Sequence, residues 1–347
     1  MTDLAQAFYS YIQEKLPSLE QELSSDLPKV SAGYDFSLQA ELDQYLYGPF
    51  KSFSEVPGKR IRPLLCLLAA EAYGADATKA LRAALAIEHF QSAALIHDDI
   101  ADESELRRGE PCLHKQLGVG LAINVGDLAL TWLVKQLLDD EHLDDSLKIS
   151  VLKELMNMEL MTLEGQALDL AWSQFEEYSI IEHDYLFMAQ HKTAYYSAAI
   201  PLVIGALIAG ADKSELSKLK EFGLRCGLAF QIQDDILNVK PSPKKNKDLY
   251  SDLQEGKRTL IVLRALEVLD ADKSWRLREL LEKPENDADE ILEMVTLLYQ
   301  AKAPQYAHEF ANKLLVESLE ILSTLSIDDA YKKLLQGMAE FFVERSY

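Results

Sequence analysis

Residues 87–114, IEHFQSAALIHDDIADESELRRGEPCLH, carry an apolar run into a dense set of charges. Apolar side chains recur at three and four spacings through 78–102, which is the period of an α-helix. That helix ends on His97, Asp98, Asp99 and Asp102; Glu103, Glu105, Arg107 and Arg108 follow. Like charges one helical turn apart repel. Asp98 and Asp102 stand at i and i+4, so their carboxylates share one face, and Asp99 points about a quarter turn away. Hard divalent cations such as magnesium take carboxylate oxygens, keep several waters and complete their shell with phosphate. Paired arginines suit planar, bidentate recognition of phosphate. A solvated acidic helix end is the competing reading, and the apolar run in front of the acids weighs against it.

The helical period recurs at 61–74, 119–139, 147–172, 178–209, 213–239, 257–269, 287–301, 305–323 and 328–344. Alternating strand patterns with hairpin turns are missing. Breaks fall at VPGKRIRP, YGAD, GEP, GAD, KPSPKKNK and EKPEND, and none is a long linker. The expectation is one all-α domain over 1–347, a bundle of about ten or more helices. IRPLLCLLAAEAYG and SAAIPLVIGALIAGA are apolar on more than one face, which suits a bundle interior or a subunit interface and points to a homodimer.

The chain holds 57 acidic against 35 basic residues, a formal net charge of -22, so no nucleic-acid partner or anionic membrane surface is expected. An anionic small substrate stays possible, because local cations or metal reverse the field inside a cleft. Cys66, Cys112 and Cys226 lie far apart without zinc spacing, which fits a reducing cytoplasm. The first 26 residues are amphipathic and acidic, with no secretory pattern. The longest apolar run, around 197–210, is too short to span a bilayer and contains Pro201, so an integral membrane protein is not expected.

A second acidic pair, Asp234 and Asp235 in FQIQDDILNV, again follows an apolar, glycine-containing helix. Two such helix ends facing one another would hold several metal ions around one diphosphate. KKNKDLYSDLQEGKRTL mixes cations and acids, and PGKRIRP sets three cations beside a turn with Pro63 placed to start a helix. Each alone reads equally well as solvated surface.

Taken in order, these residues resemble the trans-isoprenyl diphosphate synthases, the polyprenyl synthetase family, over about 58–260. That family's DDxxD, RRGxP and following His stand as Asp98, Asp99, Asp102, Arg107, Arg108, Gly109, Pro111 and His114. Its GKxxRP stands as Gly58, Lys59, Arg62 and Pro63, and its GQxxD as Gly165, Gln166 and Asp169. Its KT pair matches Lys192 and Thr193, its FQxxDD matches Phe230, Gln231, Asp234 and Asp235, and the cations and acid beyond match Lys247, Asp252 and Lys257. The resemblance implies the isoprenoid synthase fold, an all-α bundle around a central cavity. It implies a magnesium-dependent, head-to-tail condensation of isopentenyl diphosphate with an allylic prenyl diphosphate. About three magnesium ions would serve each site. Asp98 and Asp102 would hold two with Asp99 in support; Asp234 would hold a third beside Asp235, with Asp169 and Asp252 acting through water. Arg107, Lys192, Lys247 and Lys257 would grip the allylic diphosphate. Gly58, Lys59, Arg62, Gln91 and Arg108 would receive isopentenyl diphosphate. Thr193 and Gln231 would line the reacting carbons. The second motif usually ends in Asp where this chain has Asn238, a weaker metal partner.

In this family the product grows beside the helix of the first motif. Ala93 and Ala94 stand five and four residues before Asp98, where shorter-product members carry an aromatic residue. The expected product is therefore geranylgeranyl (C20) or longer, with Phe90 as the floor. Three rivals stand beside this reading: a terpene cyclase on the same scaffold, a low-activity or regulatory subunit of a heteromeric synthase, and a helical protein without chemistry. Lys59, Arg62 and Arg108 weigh against the cyclase, and the intact first motif weighs against the subunit.

Overall fold

The structure is a computed structural model that describes residues 1–240 and 249–344. Helix α1 (Asp3–Asp26) leads to α2 (Phe36–Leu42), a π-helical turn (Asp43–Tyr47), α3 (Gly48–Glu55) and α4 (Ile61–Ala72). Next come α5 (Leu81–Ala101), strands β1 (Leu106–Arg107) and β2 (Glu110–Pro111), α6 (Leu113–Leu117), α7 (Val119–Leu138) and α8 (Asp145–Gln174). Helix α9 (Glu182–Ala189) runs into a π-helical segment (Gln190–Ala199) and α10 (Ile200–Ile208). The chain finishes with α11 (Lys213–Val239), α12 (Ser251–Gln254), α13 (Leu260–Val268), α14 (Ala271–Leu281), α15 (Ala288–Gln300), α16 (Ala303–Ser323) and α17 (Asp329–Glu344).

The all-α expectation holds, with several differences. The RRGEP stretch is a two-strand hairpin rather than a plain break: Leu106 pairs with Pro111 and Arg107 with Glu110. Arg108 and Gly109 have φ of 53° and 90°, as a two-residue type I′ turn requires. The helical pattern at 178–209 begins only at Glu182 and passes through the π-helical segment. Helix α14 was not expected; its charge-rich sequence ADKSWRLRELL buries only Leu277, Leu280 and Leu281. Finally, α7 is the one helix among the described residues long and apolar enough to cross a membrane, although Asn124, Asp127 and Thr131 interrupt its apolar run. Its Ala122, Val125, Gly126, Ala129, Leu133 and Leu137 are buried along one stripe, and its other side is open.

The chain forms two compact units. The N-terminal unit comprises 10–156 and 201–212. Within it Ala93 and Ile96 of α5 join Phe50, Ala122, Val125 and Ala129 in one apolar cluster. A Cβ on Gly126 would collide with the His97 ring, so the small residue lets α7 lie close against α5. The C-terminal unit comprises 1–9, 157–200 and 213–347. Its core gathers Tyr185, Met188, Ile232, Leu260, Ile261, Met294, Leu298 and Ala307. Gly223 and Gly227 of α11 lie directly on the backbone of Ala199 and Ala194, so α11 packs tightly along the π-helical segment. All three cysteines are buried and unpaired.

Candidate active site

The N-terminal unit carries one constellation. Asp98 and Asp102 occupy the last turn of α5 and its cap, where the Asp102 N–H donates to the Asp98 carbonyl at 2.9 Å. A helix C-terminus is the negative end of the macrodipole, so acids gathered there are held at a cost that a cation offsets. Asp99 turns inward, 1% exposed, and its Oδ1 accepts from Arg107 Nε at 2.9 Å and from Arg107 Nη2. Arg107 Nη2 also lies 3.9 Å from Asp98 Oδ2. Burial works against the Arg107 charge, but the Asp99 hydrogen bond and the Asp99 and Asp98 charges more than offset it and raise its pKa. The hairpin turn sends the neighbouring guanidinium elsewhere: Arg108 Nη1 donates to the Val56 carbonyl at 3.1 Å, and its end lies against Gly58. Partial burial and the positive charges of Arg60, Arg107 and Arg62 lower the Arg108 pKa, so its charge is one that an anion would stabilise.

The loop 56–60 that presents Gly58 and Lys59 is pinned by Arg60, which sequence reading counted only as one of three cations. Arg60 is 5% exposed and adopts φ 45°. Its guanidinium donates to Glu88 Oε1 at 2.6 Å, to the Ser54 carbonyl at 2.7 Å and to the Val56 carbonyl at 2.8 Å. Lys59 is exposed, Arg62 half-buried and Gln91 buried.

The C-terminal unit carries the second constellation. Gly165 on α8 touches the Lys192 backbone so closely that any Cβ would clash, and Asp169, one turn on, meets the Lys192 ammonium at 2.5 Å. Burial alone would raise the Asp169 pKa, but the charges of Lys192 and Lys257 outweigh it and hold it low. Thr193 Oγ1 donates to Gln231 Oε1 at 2.6 Å, and Gln231 Nε2 donates to Asp235 Oδ1 at 2.8 Å. Asp235 is 3% exposed, and its Oδ2 accepts from the Tyr185 hydroxyl at 2.6 Å. Burial, with the charges of Asp252 and Asp234, pushes the Asp235 pKa well up against those two hydrogen bonds. Lys257 Nζ lies 3.6 Å from Asp252 Oδ1 and 2.5 Å from Glu255 Oε2. A cavity of about 50 Å³ is lined by Asp169, Tyr185, Lys192, Gln231, Asp235, Asp252 and Lys257 among others, so three carboxylates meet only two lysines there.

The predicted residues thus assemble as two sets, one in each unit, with Asp234 on the last turns of α11 beside Asp235. Lys247 lies outside the described residues. Among the described residues no three His, Cys, Asp or Glu side chains converge into a ready-made metal cluster. Asn238 has a definite local role: its Nδ2 donates to Ser251 Oγ at 3.0 Å and its Oδ1 accepts the Asp252 N–H at 3.3 Å. It clips the start of α12, which carries Asp252. Arg60, Glu88 and Tyr185 escaped sequence reading; the only signal was the placement of two charged residues and a tyrosine near motif residues.

Fold and constellations together define an all-α protein whose paired acids and cations suit a metal-bridged polyanion. The polyprenyl synthetase family description matches residues 43–298. A short chain isoprenyl diphosphate synthase of Methanocaldococcus jannaschii is 36% identical over 308 residues, covering 88% of this chain and 90% of that protein. A geranylfarnesyl diphosphate synthase of Natronomonas pharaonis is 34% identical, covering 97% and 98%. A geranylgeranyl pyrophosphate synthase from Corynebacterium glutamicum, solved with isoprenyl diphosphate and magnesium, superposes with a TM-score of 0.83 at 26% identity, covering 99% of this chain and all of that one (100%). The chain belongs to the polyprenyl synthetase family.

Proposed function

We propose that this chain is a trans-prenyltransferase that condenses isopentenyl diphosphate with an allylic prenyl diphosphate and makes a product of C20 or longer. One observation carries the reading: Asp98 and Asp102 end α5 beside a hairpin that turns Arg107 and Arg108 to different partners. Family membership and the names of the relatives support it.

The donor set fits magnesium. It offers carboxylate oxygens at a helix C-terminus, and with no ready-made cluster among the described residues, phosphate oxygens and water would complete the shell. Asp98, Asp102 and Asp234 would hold about three ions, with Asp99, Asp235, Asp169 and Asp252 in support. Bound there, magnesium would supply charge neutralisation for a departing diphosphate. Arg107, Lys192, Lys247 and Lys257 grip the allylic diphosphate as its carbon–oxygen bond breaks and the electron pair leaves with oxygen. Gly58, Lys59, Arg62, Gln91 and Arg108 hold isopentenyl diphosphate so that its alkene attacks the allylic carbon. Thr193 and Gln231 face the cation, and the proton shed in the last step passes to the released diphosphate. The chain is read as one catalytic domain over 1–347, in the cytoplasm, as a homodimer.

The purified protein with magnesium, isopentenyl diphosphate and farnesyl diphosphate should yield a longer prenyl diphosphate by mass spectrometry. No such product overturns the reading. Release of diphosphate from farnesyl diphosphate alone, without chain growth, would favour the cyclase instead.

A further inference from the structure

Tyr185 stands on α9, seven residues before Lys192, with its ring in the core of the C-terminal unit and 1% exposed. Its hydroxyl donates to Asp235 Oδ2 at 2.6 Å, and Gln231 Nε2 donates to the other oxygen at 2.8 Å. Two donors therefore converge on Asp235, one on each oxygen. This decides the orientation of the Gln231 amide, because its N–H₂ end is turned to Asp235 and only its oxygen is left for Thr193. Thr193 in turn commits its hydroxyl proton to Gln231 Oε1 at 2.6 Å. With the proton so placed, the remaining lone pairs of the Thr193 hydroxyl are what it presents to its surroundings. A flipped amide would turn N–H₂ toward Thr193, make the hydroxyl an acceptor, and aim its proton outward. Toward a developing allylic cation the first arrangement is attractive and the second repulsive.

We propose that Tyr185 is a positioning residue for the prenyl-transfer step: through Asp235 and Gln231 it sets the polarity of the Thr193 hydroxyl. The proposal rests on the reading that Thr193 faces the reacting carbons. Tyr185 borders the cavity that Lys192 and Lys257 line, but it is 1% exposed and its hydroxyl is committed to Asp235, so its removal should act on the chemical step rather than on binding.

The test is a double-mutant cycle on the full-length protein with isopentenyl and farnesyl diphosphates. Tyr185→Phe keeps the buried ring and removes the hydroxyl. It should lower kcat about tenfold, one lost hydrogen bond's worth, with both KM values changed by less than about twofold. In a Thr193→Ala background the same substitution should cost less than about twofold, because its effect runs through the missing hydroxyl. A tyrosine that merely supports the fold would cost the same in both backgrounds, and that result overturns the proposal, as does a loss carried by KM or no loss at all. Thermal melts establish that each variant is folded. If Tyr185→Phe does not fold, Tyr185→Leu, which also removes the hydroxyl, takes its place in both backgrounds and must show the same dependence on Thr193. Absence of synthase turnover in the unaltered protein overturns the functional reading itself and this proposal with it, which is distinguishable from an altered cycle in an active enzyme.

Discussion

Phe90, Ala94 and Asp98 stand four residues apart and so follow one side of α5, each step rising about 6 Å. Ala93 differs from Ala94 although the two are adjacent. Ala93 is wholly buried in the apolar cluster with Phe50, Ala122 and Val125, whereas Ala94 is half-buried on the side that leads to Asp98. Smallness at 93 serves helix packing; on the proposed chain-length reading, smallness at 94 would leave room along the line from Phe90 to the acids. Phe90→Ala should lengthen the product by one or more isoprene units, read by product mass, and an unchanged product removes Phe90 as the floor. The residue scale also gives Asn238 its physical reason. An amide both donates to Ser251 and accepts from the Asp252 N–H, while a carboxylate only accepts. A carboxylate there would also add charge beside Asp252, whose pKa burial already raises. A sequence departure that read as a weakened metal partner is, locally, a clip.

At the scale of elements, the segment between α3 and α4 is held by a buried ion pair and two hydrogen bonds to carbonyls. Arg60 in left-handed backbone ties Glu88 on α5 to the carbonyls of Ser54 and Val56. Glu88→Ala would strip the buried guanidinium of its nearest countercharge, leaving Glu20 Oε1 at 3.9 Å, a loss of roughly 3–5 kcal/mol. A denaturant titration should show that loss as a lower midpoint, and a change under about 1 kcal/mol would mean the carbonyls and Glu20 suffice to hold Arg60. The hairpin at 106–111 and the π-helical segment at 190–199 play similar parts. One uses two positive-φ residues to separate Arg107 from Arg108; the other widens the helix where Lys192 and Thr193 sit. Helical periodicity located the flanking helices, with α11 found at 213–239 to the residue. It missed these two irregular elements because a period reports a regular repeat, and each of them is a local departure from one.

For the whole molecule, the charge and the apolar helices bear on assembly. Helix α7 buries one stripe and leaves Val119 and Ile123 exposed, at 51% and 42%. An apolar helix with an open side suits a second copy of the chain better than it suits water. Sedimentation should therefore give twice the 39.1 kDa chain mass. Ile123→Glu should shift the protein toward the single-chain mass, and a monomer in the unaltered protein would remove the dimer from the proposal.

The sequence by itself determined the helical class, the order of the motifs and the family, because helix period and motif spacing are local properties of a chain. It also placed Asp98 and Asp102 on one face, since a spacing of four dictates that in any helix. Only the tertiary structure decided what each charge meets. Asp99 faces Arg107, Asp235 faces Tyr185, Asp169 faces Lys192, and Arg60 faces Glu88. These partners lie 8 to 50 residues apart in the chain. Spacing says which side of a helix a residue occupies; packing alone says which other segment lies against that side.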